Sequence, residues 1–291
     1  MSLSLKILLC GFIGGLVSVL IADHLLKKRS QKVIKEVPKE KRIDVLRKFS
    51  TYDANPIKAK RTTQMVLNNI PSPILSKYNY SDYCNKEFEN EDDIVFSLLD
   101  FVCDNFKHAP CAVLPNNHSL ENIIRACEKN ELKTNCRGLS LILAELLRMN
   151  GIKARHVTCM PYEEPFVDCH VVVDCIMPSG ARVTLDPTFR LYLMDENGSY
   201  VSIPEFRKGI IEGKDFIPNT TASYNGGEFN FEDYKEYMAK NLVRFETNYI
   251  LNDSLSDNMF YSVCLAPSGY STKGHINRGR YITDPESFWE L

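Results

Sequence analysis

No C-x2-C pair, no internal repeat and no low-complexity tract occurs in these 291 residues, and tryptophan occurs once, at Trp289. The missing pairs remove the usual spacing of a zinc site, although the chain has ten cysteines. The missing repeats remove solenoids and arrays. Basic charge is also short where a nucleic-acid binder would need it: residues 62–291 carry twenty-one Lys/Arg against thirty-two Asp/Glu, a net of −11. Phosphate backbones require a basic face, so nucleic acid is not the expected partner. With 44% hydrophobic and 25% charged residues, the chain lies in the globular range and can bury a core. One main domain with appendages is expected.

Long apolar runs are equally scarce. The uncharged stretch Ile7–Ala22 has sixteen residues, somewhat short of the roughly 20 that span a bilayer, and Leu25 and Leu26 extend it. No small-x-small site ends it cleanly, and Cys10 comes too early, after too large a residue, for lipid attachment. The expectation is a single uncleaved membrane anchor over residues 1–26, with a signal peptide as the rival reading. Residues 27–61 then carry thirteen Lys/Arg against four Asp/Glu, a net of +9. The positive-inside rule places such a segment in the cytoplasm, and cysteines without paired spacing agree with a reducing compartment. The side of the membrane stays open. The basic run reads either as a binder of anionic headgroups or as a solvated helix.

Residues 27–83 read as a basic juxtamembrane segment and linker, broken by Pro38 and Pro56 and followed by the Pro/Ser/Tyr-rich stretch 68–83. Three helices are expected next: 91–106, with a broad apolar stripe; 119–130, capped by Ser119; and a third from near Asn135 to Gly151. The pattern then changes to β-branched strands at 152–160, 167–177 and 181–189, the last two joined by the turn Pro178-Ser179-Gly180. A turn at 195–199, a short helix at 203–214, a helix over 229–245 and short strands near 259–266 and 280–284 complete the chain. Helices followed by strands indicate an α+β fold, N-terminal helices packed on an antiparallel sheet.

Three residues come into one frame. Cys136 opens a helix, His170 lies within a strand, and Asp186 lies near the end of the strand paired to it. A hairpin turning through 177–179 would set 170 opposite 186, and opposed residues share a face. A helix N-terminus stabilises a thiolate, an imidazole takes and returns its proton, and a carboxylate fixes the imidazole. First-turn N–H groups, that of Cys136 foremost, suit an oxyanion.

The stretches NCRGLSLILAELLRMNGIKARHV and DCHVVVDCIMPSGARVTLDPT resemble the transglutaminase-like core of the papain-like superfamily, over roughly residues 91–195. The resemblance rests on a Cys opening a helix, on Gly-Ile-x-Ala-Arg at the next strand and on Asp-Pro-Thr after the His strand. It implies Cys136 as nucleophile, His170 as general base and acid, and Asp186 as orienting carboxylate, within a catalytic core over 84–200 and an extension over 201–291 packed on it. The implied activity is acyl transfer on peptide or protein amides through a thioester, hydrolysis rather than cross-linking, because no glutamine pocket or calcium loop is marked. The rival is an inactive module that binds a peptide or scaffolds a partner at the membrane. No metal or organic cofactor is implied. Family analogy favours the cell surface, against the charge argument. Arg137 after the Cys and Val171-Val172 after the His depart from the family's usual small or aromatic residue and His-Ala-Trp. The side chain that would complete an oxyanion hole is not assignable from sequence.

Other residues compete for these roles. His156 and Cys159 are alternative base and nucleophile, and Asp168 and Asp174 are alternative acids. Cys169 should face away from His170 on a strand and belong to the core. His108, His118 and His275 read as surface residues in polar loops. Arg155 reads as a structural partner for an acid. The Gly11–Gly15 stretch reads as part of a lone anchor. The tyrosines of 78–83 and the aromatics of 229–237 suit either a peptide groove or core packing.

Overall fold

The computed structural model describes residues 39–60, 63–66, 72–162, 168–251, 262–271 and 280–291. The expected anchor, Cys10, residues 27–38 of the basic segment and His275 lie outside them. Among the described residues no helix is long and apolar enough to cross a membrane. Residues Glu40–Leu291 form one unit.

The main helices among the described residues are α1 (Lys39–Lys48), α2 (Asp93–Asn105), α3 (Leu120–Glu128), α4 (Cys136–Met149), α5 (Ile203–Glu212), α6 (Phe231–Asn241) and α7 (Pro285–Trp289). The main strands are β1 (Lys153–Met160), β2 (His170–Ile176), β3 (Arg182–Leu185), β4 (Arg244–Asn248), β5 (Ser262–Leu265) and β6 (Tyr281–Ile282). They form one sheet in the order β6-β5-β4-β1-β2-β3. Every pair is antiparallel except β5 with β6 at the edge. The architecture is mixed α and β, as the order of patterns indicated.

Local chemistry explains the elements nearest the site. Asn135 caps α4, its side chain accepting from the Gly138 N–H at 3.0 Å. Ser119 caps α3 in the same way, accepting from Asn122. Gly151, at φ +76°, ends the α4 turn in the left-handed region that only glycine enters cheaply. Gly138 is needed for a different reason: a Cβ there would collide with the Thr134 hydroxyl and press on Leu114.

Alternation along the strands divides the core in two. Ala154, Val173, Cys175, Val183 and Leu185 face the helical layer of α2, α3 and α4. Val157, Cys159, Val172 and Phe245 face the other way, onto Leu46 of α1, Phe206 of α5, Tyr234 and Met238 of α6, and Phe288 and Trp289. The second face is therefore covered largely by the segment after residue 200. The stretch expected as a linker also contributes core side chains: Leu46, Phe49, Ile74, Leu75 and Tyr80 are all buried. Tyr80 packs edge-on against Phe101, so the 78–83 tyrosines belong to the helical core rather than to a groove.

Two expectations need correction. The helix proposed to run to 245 stops at Asn241, because Val243 and Phe245 are drawn into the sheet side of the core and Arg244–Asn248 pairs with β1 and β5. The β2–β3 hairpin turns through Pro178-Ser179-Gly180, as one reading had it, and not through 177–179, with Met177 N–H bonded to the Ala181 carbonyl and Gly180 at φ +86°. Val173 thus pairs with Leu185, and the ladder does not set His170 opposite Asp186.

Arg155 meets an acid, as expected. Its Nε lies 3.0 Å from Asp174 Oδ2, and Arg182 takes both oxygens of the same carboxylate at 2.7 and 2.6 Å. Trp289 lies 5.6 Å from both guanidinium groups, and Phe288 lies 5.3 Å from that of Arg155. The single tryptophan is thus a lid on a buried ion triad. Asp174 is committed to this structural role and is not available to His170.

Candidate active site

Cys136 is the first residue of α4, where helical geometry leaves backbone N–H groups outside the ladder. His170 is the first residue of β2, 2% exposed. Asp186 follows β3 directly and is held by a tight loop, exchanging backbone hydrogen bonds with Leu191. Its Oδ2 lies 2.6 Å from His170 Nε2, and its Oδ1 accepts from the Thr188 N–H at 2.9 Å. With Nε2 engaged by the carboxylate, Nδ1 remains for the bond between His170 and Cys136.

The electrostatics favour a thiolate facing an imidazolium. Burial pushes the Cys136 thiol up, but hydrogen bonds from His108 and His170, the charge on His170 and the Val171 backbone outweigh it and bring it down to about 6. Burial pushes His170 down, yet the charge and hydrogen bond of Asp186, followed by those of Cys136, hold it well above the ordinary histidine range. The two groups form one coupled pair.

Two contributors come from parts of the sequence read otherwise. Tyr234 of α6 donates its hydroxyl proton to Asp186 Oδ2 at 3.0 Å and is itself buried. It sits 48 residues from its partner, and nothing in its local pattern distinguishes it from a core tyrosine. His108, expected on the surface, lines the cleft with Cys136 and helps draw its thiol down. Its Nδ1 lies 3.0 Å from the Tyr224 hydroxyl, and Asn225 bonds both its N–H and its carbonyl. Asn225 and Gly226, at φ +53° and +81°, make the tight turn that presents Tyr224 and Asn225 together. The Asn-Gly pair was the one sequence signal for this staple.

The remaining candidates are placed as follows. His156, Cys159 and Cys175 are buried in the sheet, and burial drives both thiols well up. Cys169 precedes β2 instead of lying in it, and therefore lines the cleft beside Cys136, contrary to the expected core position. Its thiol is pushed up, by burial first. Asp168 also lines the cleft but is taken by Lys240 at 2.5 Å and by the Tyr237 hydroxyl at 3.2 Å. His118 is not among the cleft residues. The nine cysteines among the described residues are free thiols, and no cluster there could hold a metal ion.

The cleft holds about 430 Å³ and is lined by Cys136, His170, His108, Arg137, Phe189 and Tyr237 among others. That volume suits a small organic group or a short peptide segment. Arg137, the departure noted after the cysteine, reaches Thr158 Oγ1 at 3.1 Å.

Residues 78–187 match the sequence model described as the Transglutaminase-like superfamily. No curated protein matches the chain. Among solved structures, a candidate cysteine protease from Cytophaga hutchinsonii is 17% identical, covering 57% of this chain and 60% of its own, with a TM-score of 0.32. A candidate protease from Parabacteroides distasonis is 13% identical over 45% of this chain and 28% of its own, with a TM-score of 0.29. A third, described as a TGase, is 15% identical over 58% and 37%, with a TM-score of 0.27. In each case less than two thirds of the other chain is spanned. Residues 78–187, the part of this chain that is similar to the Transglutaminase-like superfamily, include Cys136, His170 and Asp186.

Proposed function

We propose that the protein catalyses acyl transfer on amide bonds of peptides or proteins through a thioester at Cys136, with hydrolysis as the usual outcome. The observation that carries this reading is the coupled arrangement in which Cys136 opens a helix, faces His170 across a cleft, and has its thiol drawn down to about 6. Such a thiol is ionised at neutral pH and needs no further activation.

The thiolate attacks the amide carbonyl carbon, forming a C–S bond as the carbonyl π electrons move to oxygen. The Cys136 N–H and the His108 side chain face that oxyanion. Collapse breaks the C–N bond, and His170 gives its proton to the leaving amine. Water, deprotonated by His170, attacks the thioester and returns the thiolate. Asp186 keeps the imidazole in one tautomer and balances its charge throughout, and Tyr234 and the Thr188 N–H keep Asp186 in place.

The test is the rate of Cys136 alkylation against pH in the wild type and in His170→Ala, read by mass spectrometry and paired with peptide turnover. Fast alkylation near pH 6 that the substitution abolishes, together with turnover lost in Cys136→Ala, is the expected result. Alkylation with the midpoint of an ordinary thiol, about 8.5, in both proteins would overturn the reading. A reactive Cys136 without turnover on any peptide would favour a binding module instead.

A further inference from the structure

His108 is held between two segments far from it in the chain. Lys107 and Ala109 donate their N–H groups to the carbonyls of Leu132 and Thr134, at 2.9 and 2.7 Å, so Lys107-His108 runs parallel to Lys133-Thr134, just ahead of Cys136. Asn135 ties the same two stretches, its Nδ2 donating to the Ala112 carbonyl at 2.9 Å. The backbone groups of His108 itself face the other edge, because successive residues of a strand bond to opposite sides. There Asn225 takes both of them, accepting from the N–H at 2.7 Å and donating to the carbonyl at 3.0 Å. The next residue back, Tyr224, brings its hydroxyl to 3.0 Å from His108 Nδ1. The two rings meet edge to face with centres 5.7 Å apart, and Phe189 backs Tyr224 at 5.6 Å. His108, Tyr224 and Cys136 all line one cleft. With Nδ1 engaged by the hydroxyl, Nε2 is the ring nitrogen left to serve that cleft.

A hydroxyl against a neutral imidazole permits two arrangements. If Nδ1–H donates to the phenol oxygen, the ring turns the lone pair of Nε2 to the cleft, where it meets first a thiolate and then an oxyanion of the same sign. If the phenol O–H donates to Nδ1, the ring proton sits on Nε2 and the cleft receives a donor. The charge of the cleft favours the second. His108 draws the Cys136 thiol down, as a donor does and a lone pair does not. The other ionisable groups of the cleft are His170, Arg137, Cys169, Tyr237 and Asp168, and the Asp168 carboxylate is bonded to Lys240 and Tyr237. The hydroxyl that sets the imidazole is therefore that of Tyr224.

We propose that Tyr224 is a positioning residue, whose hydroxyl donates to His108 Nδ1 and so holds the imidazole in the tautomer that presents Nε2–H to the cleft at Cys136. The proposal deepens the reading of Cys136 as an acyl-transfer nucleophile, on which it rests for the use made of that N–H: a donor for the oxyanion. Tyr224 acts through His108, in the way a second group fixes the tautomer of an imidazole in other sites.

The experiment compares the full chain with Tyr224→Phe, His108→Ala and the double variant. Tyr224→Phe keeps the ring that packs on His108 and Phe189 and removes only the oxygen. Alkylation of Cys136 by iodoacetamide against pH gives a midpoint for each protein. Tyr224→Phe should raise the midpoint by about 0.5–1 pH unit, the worth of one net hydrogen bond, and should add nothing in the His108→Ala background. Long-range proton–nitrogen spectra of the chain labelled with ¹⁵N at histidine, with His108 identified by its loss in His108→Ala, read the tautomer directly. The wild type should carry its proton on Nε2, and Tyr224→Phe should move both ring nitrogens toward averaged shifts. A proton on Nδ1 in the wild type, an unmoved midpoint in Tyr224→Phe, or an equal shift in the His108→Ala background would each overturn the proposal. The enzyme reading falls separately: an ordinary thiol midpoint in the wild type, or no turnover on peptides, removes it, while the His108 spectra still decide the tautomer.

Discussion

His170 Nε2 and Asp186 Oδ2, 2.6 Å apart, meet diagonally across the hairpin and not as opposed partners in its ladder. The ladder that pairs Val173 with Leu185 would, if continued, bring His170 level with Thr188. Asp186 instead sits two residues back along the strand, where its loop turns the carboxylate toward the imidazole and the Thr188 N–H holds it there. An offset of two residues preserves the face, and an offset of one would have sent the carboxylate to the opposite layer.

The pH dependence of Cys136 follows from the coupled pair. The thiol is held down, to about 6, so its alkylation rate should rise through that pH and be flat by pH 8. His170→Ala removes two of the causes that lower it and leaves burial opposed only by His108 and the Val171 backbone, so the midpoint should rise. The linked stability has the sign of a depressed acid: it is present above the unfolded thiol's pKa and lost as pH falls through about 6. Urea midpoints at pH 5 and pH 8, compared between wild type and Cys136→Ala, check it.

His108→Ala should also raise the alkylation midpoint, because the His108 bond is the largest of the lowering causes after burial's opposing effect. It should cost turnover in addition, by about 10²-fold, the loss expected when one oxyanion donor is removed. A surface histidine would leave both unchanged. Asn225→Ala, which cuts the bonds to the His108 backbone, should show a weaker version of the same phenotype.

Tyr234→Phe removes one hydroxyl donor from a buried carboxylate without changing shape. The expected loss of stability is about 1.5–3 kcal/mol, the range for hydrogen bonds to charged groups, measured by urea unfolding. Turnover should fall with kcat and leave KM little changed, since Tyr234 acts through Asp186. An unchanged kcat would show that the Thr188 N–H and His170 suffice.

Gly138→Ala places a methyl against Thr134 and Leu114 at the start of α4. The clash should cost about 1–3 kcal/mol and displace Cys136, seen as a lower melting temperature and slower alkylation. Thr134→Ala in the same chain should recover part of both.

Trp289→Ala uncovers the Arg155–Asp174–Arg182 triad and truncates a side chain that is 8% exposed. A loss of about 3–5 kcal/mol is expected for such a deletion, measured by urea unfolding. The alkylation rate of the residual folded protein should stay near wild type, because the triad makes none of the bonds around Cys136.

What the sequence determined by itself was local. Asn135 and Gly151 mark the ends of α4 through the demands of capping and positive φ, and strand alternation puts His170 and Asp186 on one face. Those signals are written in residues a few positions apart, so they survive without tertiary information. Tertiary structure decided the rest. Tyr234 reaches Asp186 across 48 residues, and Tyr224 reaches His108 across 116. The aromatics of 229–237, equally suited to core or groove by pattern, divide between the two roles: Tyr234 packs inward, and Tyr237 lines the cleft beside His170. No periodicity encodes such pairings, because they depend on which helix the sheet's second face receives, and that is settled by burial of apolar area over the whole chain.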